Sequence, residues 1–392
     1  MLLSLALIFL CGLISGTVFG NLKLPKLMGM LVTGILLGPY ALNLIDSKIL
    51  SISTDLRQIA LIIILTRAGL NLDIKDLKKV GKSAILMCFL PATAEIVGIV
   101  MFAPKLLGIS LLDSAILGTV LAAVSPAVVI PKMLKLIDEG YGKEKSIPQI
   151  IMAGASVDDI YVIVLFTSFL GLSSDGNFST LNFLKIPTSI LSGILCGYIC
   201  GLFLILLFQK LRLRDSIKVI VILSISFFLV SLEHAVKGNI SFSGLIAIIS
   251  LSSTINQKYN ILAGRLSLKY SKLWIASELL LFVLVGTTVN IRYATISGIS
   301  SIILLFIALI FRMSGVFLSL MGTSLNTKEK IFCMISYCPK ATVQAAIGGI
   351  PLSAGLTSGD TILTIAVLSI LITAPLGSFF IDMTYKKLLS LN

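Results

Sequence analysis

Apolar residues run through this chain in long blocks, interrupted at intervals by short joints of charged residues, glycine or proline. Cut at those joints, the sequence gives about thirteen apolar segments of roughly 17–28 residues, each long enough to cross a bilayer as a tilted helix. They fall near 2–20, 25–45, 56–72, 83–103, 111–131, 147–172, 183–208, 216–235, 240–257, 273–290, 294–322, 329–354 and 361–384. The pattern predicts an all-α polytopic membrane protein. No joint is long enough for a soluble domain, so 1–392 reads as a single membrane unit whose function lies within or between its helices. The opening MLLSLALIFLCGLISG lacks a basic n-region and is too long for a signal-peptide core, so it reads as the first helix.

Composition agrees: 57% of residues are hydrophobic and 12% charged, far from the balance of a soluble domain. A formal net charge of +13 by itself suggests a polyanionic partner, so the positions of the basic residues matter. With the N-terminus outside, 22 of the 31 Lys and Arg residues lie in cytoplasmic joints and six in outer ones. That asymmetry predicts an outside N-terminus and a cytoplasmic C-terminus in the cell membrane. The net charge is then topological, and no nucleic-acid partner is expected. DLKKVGKS (76–83) ends like a phosphate-binding loop but has Asp76 where the first glycine belongs, and reads as a basic cytoplasmic turn. Six scattered cysteines and the lone histidine, His234, show no metal-ligand spacing, and no resident cofactor is expected.

Few charges remain inside the predicted spans. Arg67, Arg312 and Lys340 are the basic ones, and Glu95 and the adjacent pair Asp158 and Asp159 stand out among the acids. An isolated ionised side chain at mid-bilayer costs at least a few kcal/mol, so each needs a partner or a task. Glu95 and Arg312 lie midway along their segments, and an intramembrane ion pair between them is the economical expectation. Arg67 sits near the cytoplasmic end of its segment, where snorkelling to the interface competes with a functional role. Asp158 and Asp159 lie roughly 16–18 Å into their helix, at the bilayer midplane, and point about 100° apart. A carboxylate there binds a proton or a hard monovalent cation, but not both, and that competition with alternating access is sufficient for cation/proton exchange.

The charges also mark an internal repeat. Gly69 and Asp73 stand opposite Gly286 and Asn290 at an offset of 217, and Glu95 stands opposite Arg312 at the same offset. VSPAVV (124–129) faces CPKATV (338–343), with Pro126 opposite Pro339 at an offset of 213. Corresponding helices run in opposite directions, so the repeat is inverted. Each proline removes a backbone donor at membrane depth, and both segments are expected to break there and cross. Lys340, next to Pro339, is placed to neutralise carbonyls exposed at its break.

Across nearly its whole length the chain resembles the cation/proton antiporter superfamily, and within it the sodium/proton antiporters of the NHA type. The resemblance is carried by LPKLMGMLVTGILLGP (24–39), RAGLNLD (67–73), AVSPAVVIPKML (123–134), GYGKEKSIPQIIMAGASVDDI (140–160) and PKATVQAAIG (339–348). It implies thirteen helices in an inverted repeat with two crossing discontinuous helices, and a homodimer working by elevator-type alternating access. The core subdomain would span approximately 56–172 plus 273–384, the dimerisation subdomain approximately 1–55 plus 216–272, and the linking helix approximately 183–208. By the same match Asp159 is the principal carboxylate for transported sodium or lithium and for the proton. Asp158 is its partner, and Ser125, Ser156 and Thr342 are candidate oxygen donors. Double-aspartate relatives commonly carry a lysine, paired with the first aspartate, where this chain has Arg312. Arginine does not release its proton, so proton traffic falls to the aspartates and one cation per proton is expected.

Potassium/proton exchange, a cation channel and a solute symporter remain as alternatives. A channel lacks the repeated carbonyl filter, and an enzyme lacks any His, Cys or Ser constellation. What pairs with Asp158 is left open by the sequence.

Overall fold

The computed structural model describes residues 1–22, 24–72, 82–174, 180–211, 213–236, 242–289 and 298–391, apart from the side chains of 174, 180–187 and 234. The repeat-related positions Asp73 and Asn290 and the side chain of His234 lie outside the described residues. Within them the chain is helical, with one isolated bridge between Tyr141 and Leu391. The helices are α1 Leu2–Asn21, α2 Lys26–Leu37, α3 Ser47–Ser51, α4 Ser53–Leu70, α5 Lys82–Met87, α6 Leu90–Leu107, α7 Leu111–Leu121, α8 Pro126–Asp138 and α9 Ile147–Ser174. There follow α10 Thr180–Lys210, α11 Asp215–Val236, α12 Gly244–Lys258, α13 Asn260–Thr287, α14 Gly298–Ser319, α15 Thr327–Ser336, α16 Thr342–Ile347, α17 Ile350–Ser353 and α18 Gly359–Leu388. Each of the thirteen predicted segments contains helix, and among the described residues eight helical stretches are long and apolar enough to cross a bilayer.

The expected segments and the structure differ in one substantial place. The basic joint expected over 258–272 is helical, as the first half of α13. Leu262, Ala263, Leu266, Ser267 and Tyr270 are buried there, while Arg265, Lys269 and Lys272 are exposed. That three-to-four spacing makes an amphipathic helix out of a stretch whose charge alone suggested a loop.

The chain forms two compact units, one of Met1–Arg57, Lys75–Val162 and Leu279–Asn392, the other of Gln58–Ile74 and Ile163–Glu278. In the second, α10 packs on α12 along Gly193, Gly197 and Gly201, whose bare faces lie against the carbonyls of Ser243, Ala247 and Leu251. Such a ridge of small residues lets helix backbones approach where no hydrophobic effect drives them together.

The first unit holds both segments with central prolines, and both are interrupted. α7 and α8 flank one break, and α15 and α16 flank the other. Pro126 occupies the first position of α8, where its missing N–H costs nothing. Pro339 instead lies inside its break, three residues before α16, so the two prolines are not structurally equivalent as the 213 offset implied. α15 opens with a capping box between Asn326 and Glu329, and Lys145 holds the Glu329 carboxylate at 2.9 Å. Around these halves Met87, Val129, Ile151, Val316, Phe332 and Ile381 form a continuous buried core.

Two glycines bring α6 and α14 together. Gly98 lies against the Phe311 ring and Gly315 against the Pro91 backbone, where an added Cβ would come within 2.5 Å and 2.7 Å of its neighbour. They are 217 residues apart, the repeat offset, and each lies one turn from Glu95 or Arg312 respectively. Gly315→Val should therefore destabilise the protein by roughly 1–3 kcal/mol through overpacking against backbone. Gly98→Ala should cost less because the Phe311 ring can turn; thermal unfolding of both variants in detergent tests the order.

Candidate membrane-embedded ion site

A helix break leaves backbone groups without helical partners, and the site is best understood by asking where those bonds go. The two breaks touch. Ser125 N–H donates to the Pro339 carbonyl at 2.8 Å, and the hydroxyls of Ser125 and Thr342 lie 3.4 Å apart. At the end of α7, the Leu121 carbonyl accepts from Lys340 Nζ at 2.6 Å and from Gln344 Nε2 at 3.1 Å. Arg312 Nη1 donates to the Ala122 carbonyl, and Gln344 Nε2 donates to that of Ala123 at 2.9 Å. The end of α15 is served by Arg312 Nε, which donates to the Tyr337 carbonyl at 2.6 Å. Lys340 N–H is satisfied by Thr373 Oγ1 at 2.9 Å.

The same side chains form a charge network. Glu95 contacts Arg312 Nη1 at 2.9 Å through one carboxylate oxygen and Lys340 Nζ at 2.6 Å through the other. Arg312 Nη2 reaches Asp158 Oδ2 at 2.7 Å, and the same oxygen accepts from Val124 N–H at 2.8 Å. Glu95, Asp158, Arg312 and Lys340 are all fully buried. Burying four charges is costly, and geometry this complete is what offsets it. Two acids face two bases, so the network is neutral. Asp159, next to it on α9, makes no ion pair among the described residues, and its Oδ1 is buried without a hydrogen-bond partner.

This arrangement, a pair of crossed interrupted helices with carboxylates and cations gathered at the crossing, sits within a chain that matches the model of the sodium/hydrogen exchanger transmembrane family over residues 5–387. The chain belongs to that family. Human sodium/hydrogen exchanger 9B2 is 33% identical over 408 residues, covering 99% of this chain and 75% of the relative. Human sodium/hydrogen exchanger 9B1 is 32% identical over 410 residues, covering 99% and 78%. Among solved structures, the sodium proton antiporter MjNhaP1 from Methanocaldococcus jannaschii at pH 8 aligns with a TM-score of 0.83 and 21% identity, covering 98% of this chain and 97% of that one. At that identity the likeness shows the fold. The protein is thus a multi-pass membrane member of a family of cation/proton antiporters.

The residues singled out from the sequence fall into three groups. Glu95, Arg312, Lys340 and Asp158 meet in the network, and Ser125 and Thr342 meet at the crossing. Ser156 is exposed, and its hydroxyl donates to the Met152 carbonyl of its own helix at 2.8 Å, so no bond ties it to the crossing. Arg67 occupies the last turn of α4, half-buried, in the second unit, and is not part of the network. Lys340 corrects one expectation: its ammonium compensates the carbonyl end of α7, across the crossing, rather than the break in which it stands. The stem reaches past its own turn because Glu95 lies on that side.

Three features were missed in the sequence. The partner of Asp158 is Arg312, whose guanidinium serves both acids. Tyr337 places its ring centroid 5.5 Å from Arg312 Cζ, within cation–π range of the guanidinium. Gln344 caps two carbonyls. Being uncharged, it gave no signal in the sequence.

Because the network is balanced, Glu95→Gln or Lys340→Met alone should each cost roughly 3–5 kcal/mol by stranding a buried charge. The double variant removes one charge of each sign. It should lose less than the sum of the two single losses, by roughly 1–3 kcal/mol, in a thermal-unfolding cycle.

Proposed function

We propose that the protein exchanges sodium or lithium for protons across the cell membrane, with Asp159 binding cation and proton in turn beside an anchored Asp158. The observation that carries this reading is the charge balance. Glu95 and Asp158 are matched by Arg312 and Lys340, and Asp159 is left over, with a buried oxygen free to accept. When Asp159 is ionised the site carries one negative charge in excess. One proton or one sodium ion cancels it, and both together overshoot. Arg312 keeps its proton, and Lys340 is committed to Glu95 and a carbonyl, so neither is free to carry a second charge. The balance therefore favours one cation per proton.

Hard monovalent cations take oxygen ligands. Ser125 and Thr342 at the crossing and Ser156, three residues before Asp159, are the auxiliary oxygens we assign. In this reading the core subdomain, approximately 56–172 plus 273–384, holds the whole network and carries it between the membrane faces. Approximately 1–55 plus 216–272 form the stationary face of a homodimer, with approximately 183–208 as the link. The basic joints support an outside N-terminus and a cytoplasmic C-terminus.

In proteoliposomes, a sodium gradient should drive opposing proton flux in the wild type, and Asp159→Asn should abolish it. Full exchange in that variant removes the site assignment. The rate should not respond to an imposed membrane potential; a clear voltage response rejects the one-for-one balance. Competition also fixes the pH dependence: once protons occupy most sites, the half-saturating sodium concentration should rise about tenfold for each unit that pH falls. Sodium titrations at stepped pH measure that slope.

A further inference from the structure

The Ala123–Val124 peptide, in the break after α7, is gripped at both ends. Its carbonyl accepts from Gln344 Nε2 at 2.9 Å, and its N–H donates to Asp158 Oδ2 at 2.8 Å. The N–H and C=O of a planar trans peptide point in opposite directions, so Gln344 and Asp158 hold one rigid unit from opposite sides. Gln344 has little freedom to do otherwise. It is 1% exposed, and its amide nitrogen also donates to the Leu121 carbonyl at 3.1 Å. Two carbonyls facing the same nitrogen fix which end of the carboxamide is which, and its Oε1 has no partner among the described residues.

The residue type fits the position. A lysine there would add a third cation to a network already in balance, and a glutamate would present acceptors to acceptors. A carboxamide supplies two donors and no charge. Donation to a peptide carbonyl also polarises the N–H at the other end and strengthens the bond that N–H makes.

We propose that Gln344 is a positioning residue that acts on Asp158 through the Ala123–Val124 peptide. By holding that N–H on Asp158 it keeps Asp158 bound to Val124 and Arg312, and so leaves cation binding to Asp159. The functional consequence rests on the exchange reading above, whereas the clamp itself does not.

Two measurements on the full-length protein test it, using Gln344→Met, which keeps the shape without the donors, and Gln344→Glu as a second variant. In protein labelled with 15N-valine, the Val124 amide proton, assigned by its loss in Val124→Ile, should shift upfield in either Gln344 variant. The half-saturating sodium concentration, read from sodium-dependent thermal stabilisation, should rise about fivefold. The maximal flux should stay within about twofold of wild type, and in an Asp158→Asn background the same substitution should change half-saturation by less than about twofold. An unmoved Val124 resonance overturns the clamp. An unchanged half-saturation, or a rise of equal size without Asp158, overturns the route through Asp158. A shifted Val124 resonance in a protein whose wild type drives no sodium-coupled proton flux would leave the clamp supported and reject the exchange reading instead.

Discussion

The guanidinium of Arg312 holds the site together. It bonds the end of α15 through Tyr337, the end of α7 through Ala122, and the carboxylates of Glu95 and Asp158. Remove it in thought and both helix breaks lose a cap, Asp158 loses its counter-charge and Glu95 keeps only Lys340. A lysine could not replace it, since an ammonium is a compact point charge and the guanidinium is a flat fork whose N–H groups point several ways at once. The Tyr337 ring adds a cation–π contact to it. One side chain that cannot titrate thus joins both breaks to both acids, and in the proposed exchange the ion chemistry is left to a neighbour that can.

That division explains why two adjacent aspartates do not share one role. Successive positions on α9 point about 100° apart. Asp158 turns toward the crossing and is consumed by Val124 and Arg312, whereas Asp159 turns to a flank where the described residues offer it no cation. Asp158 Oδ2 is taken by a guanidinium and a peptide N–H while its Oδ1, like that of Asp159, has no partner among the described residues, so the two acids differ in counter-charge: Asp158 is neutralised by Arg312 and Asp159 is not. In the proposed exchange the carboxylate without a counter-charge is the one that takes the ion, and the neutral network beside it leaves that charge uncancelled.

Much of this was legible from residue type and spacing. Helix existence followed from apolar length, the broken helices from Pro126 and Pro339, and the proximity of Glu95 and Arg312 from the cost of leaving either alone. What stayed hidden depends on facts that periodicity does not encode. The helical stretch after Asn260 looked like a loop because charge was weighed before spacing. The equivalence of the two prolines failed because one opens a helix and the other lies in the break before one. The bond from Arg312 to Asp158 and the cap supplied by Gln344 depend on how two breaks cross in space, and Gln344 carries no charge to draw attention to itself.

The repeat offset shows how the chemistry was distributed over a symmetric frame. Glu95 and Arg312 bond across 217 residues, the hydroxyls of Ser125 and Thr342 face each other across the same interval, and Gly98 and Gly315 let the surrounding helices close. Positions related by the repeat thus meet each other at its centre. The charges on the two sides are opposite: Glu95, Asp158 and Asp159 all come from the first repeat, and Arg312 and Lys340 from the second. Neither set can be buried alone, since each would bring uncompensated charge into the membrane interior. Their complementarity draws the two repeats together, and because three acids meet two bases the assembled core is left one positive charge short. In the proposed exchange a proton or a single monovalent cation supplies that charge, and the imbalance that assembly leaves behind is then what gives the site something to carry.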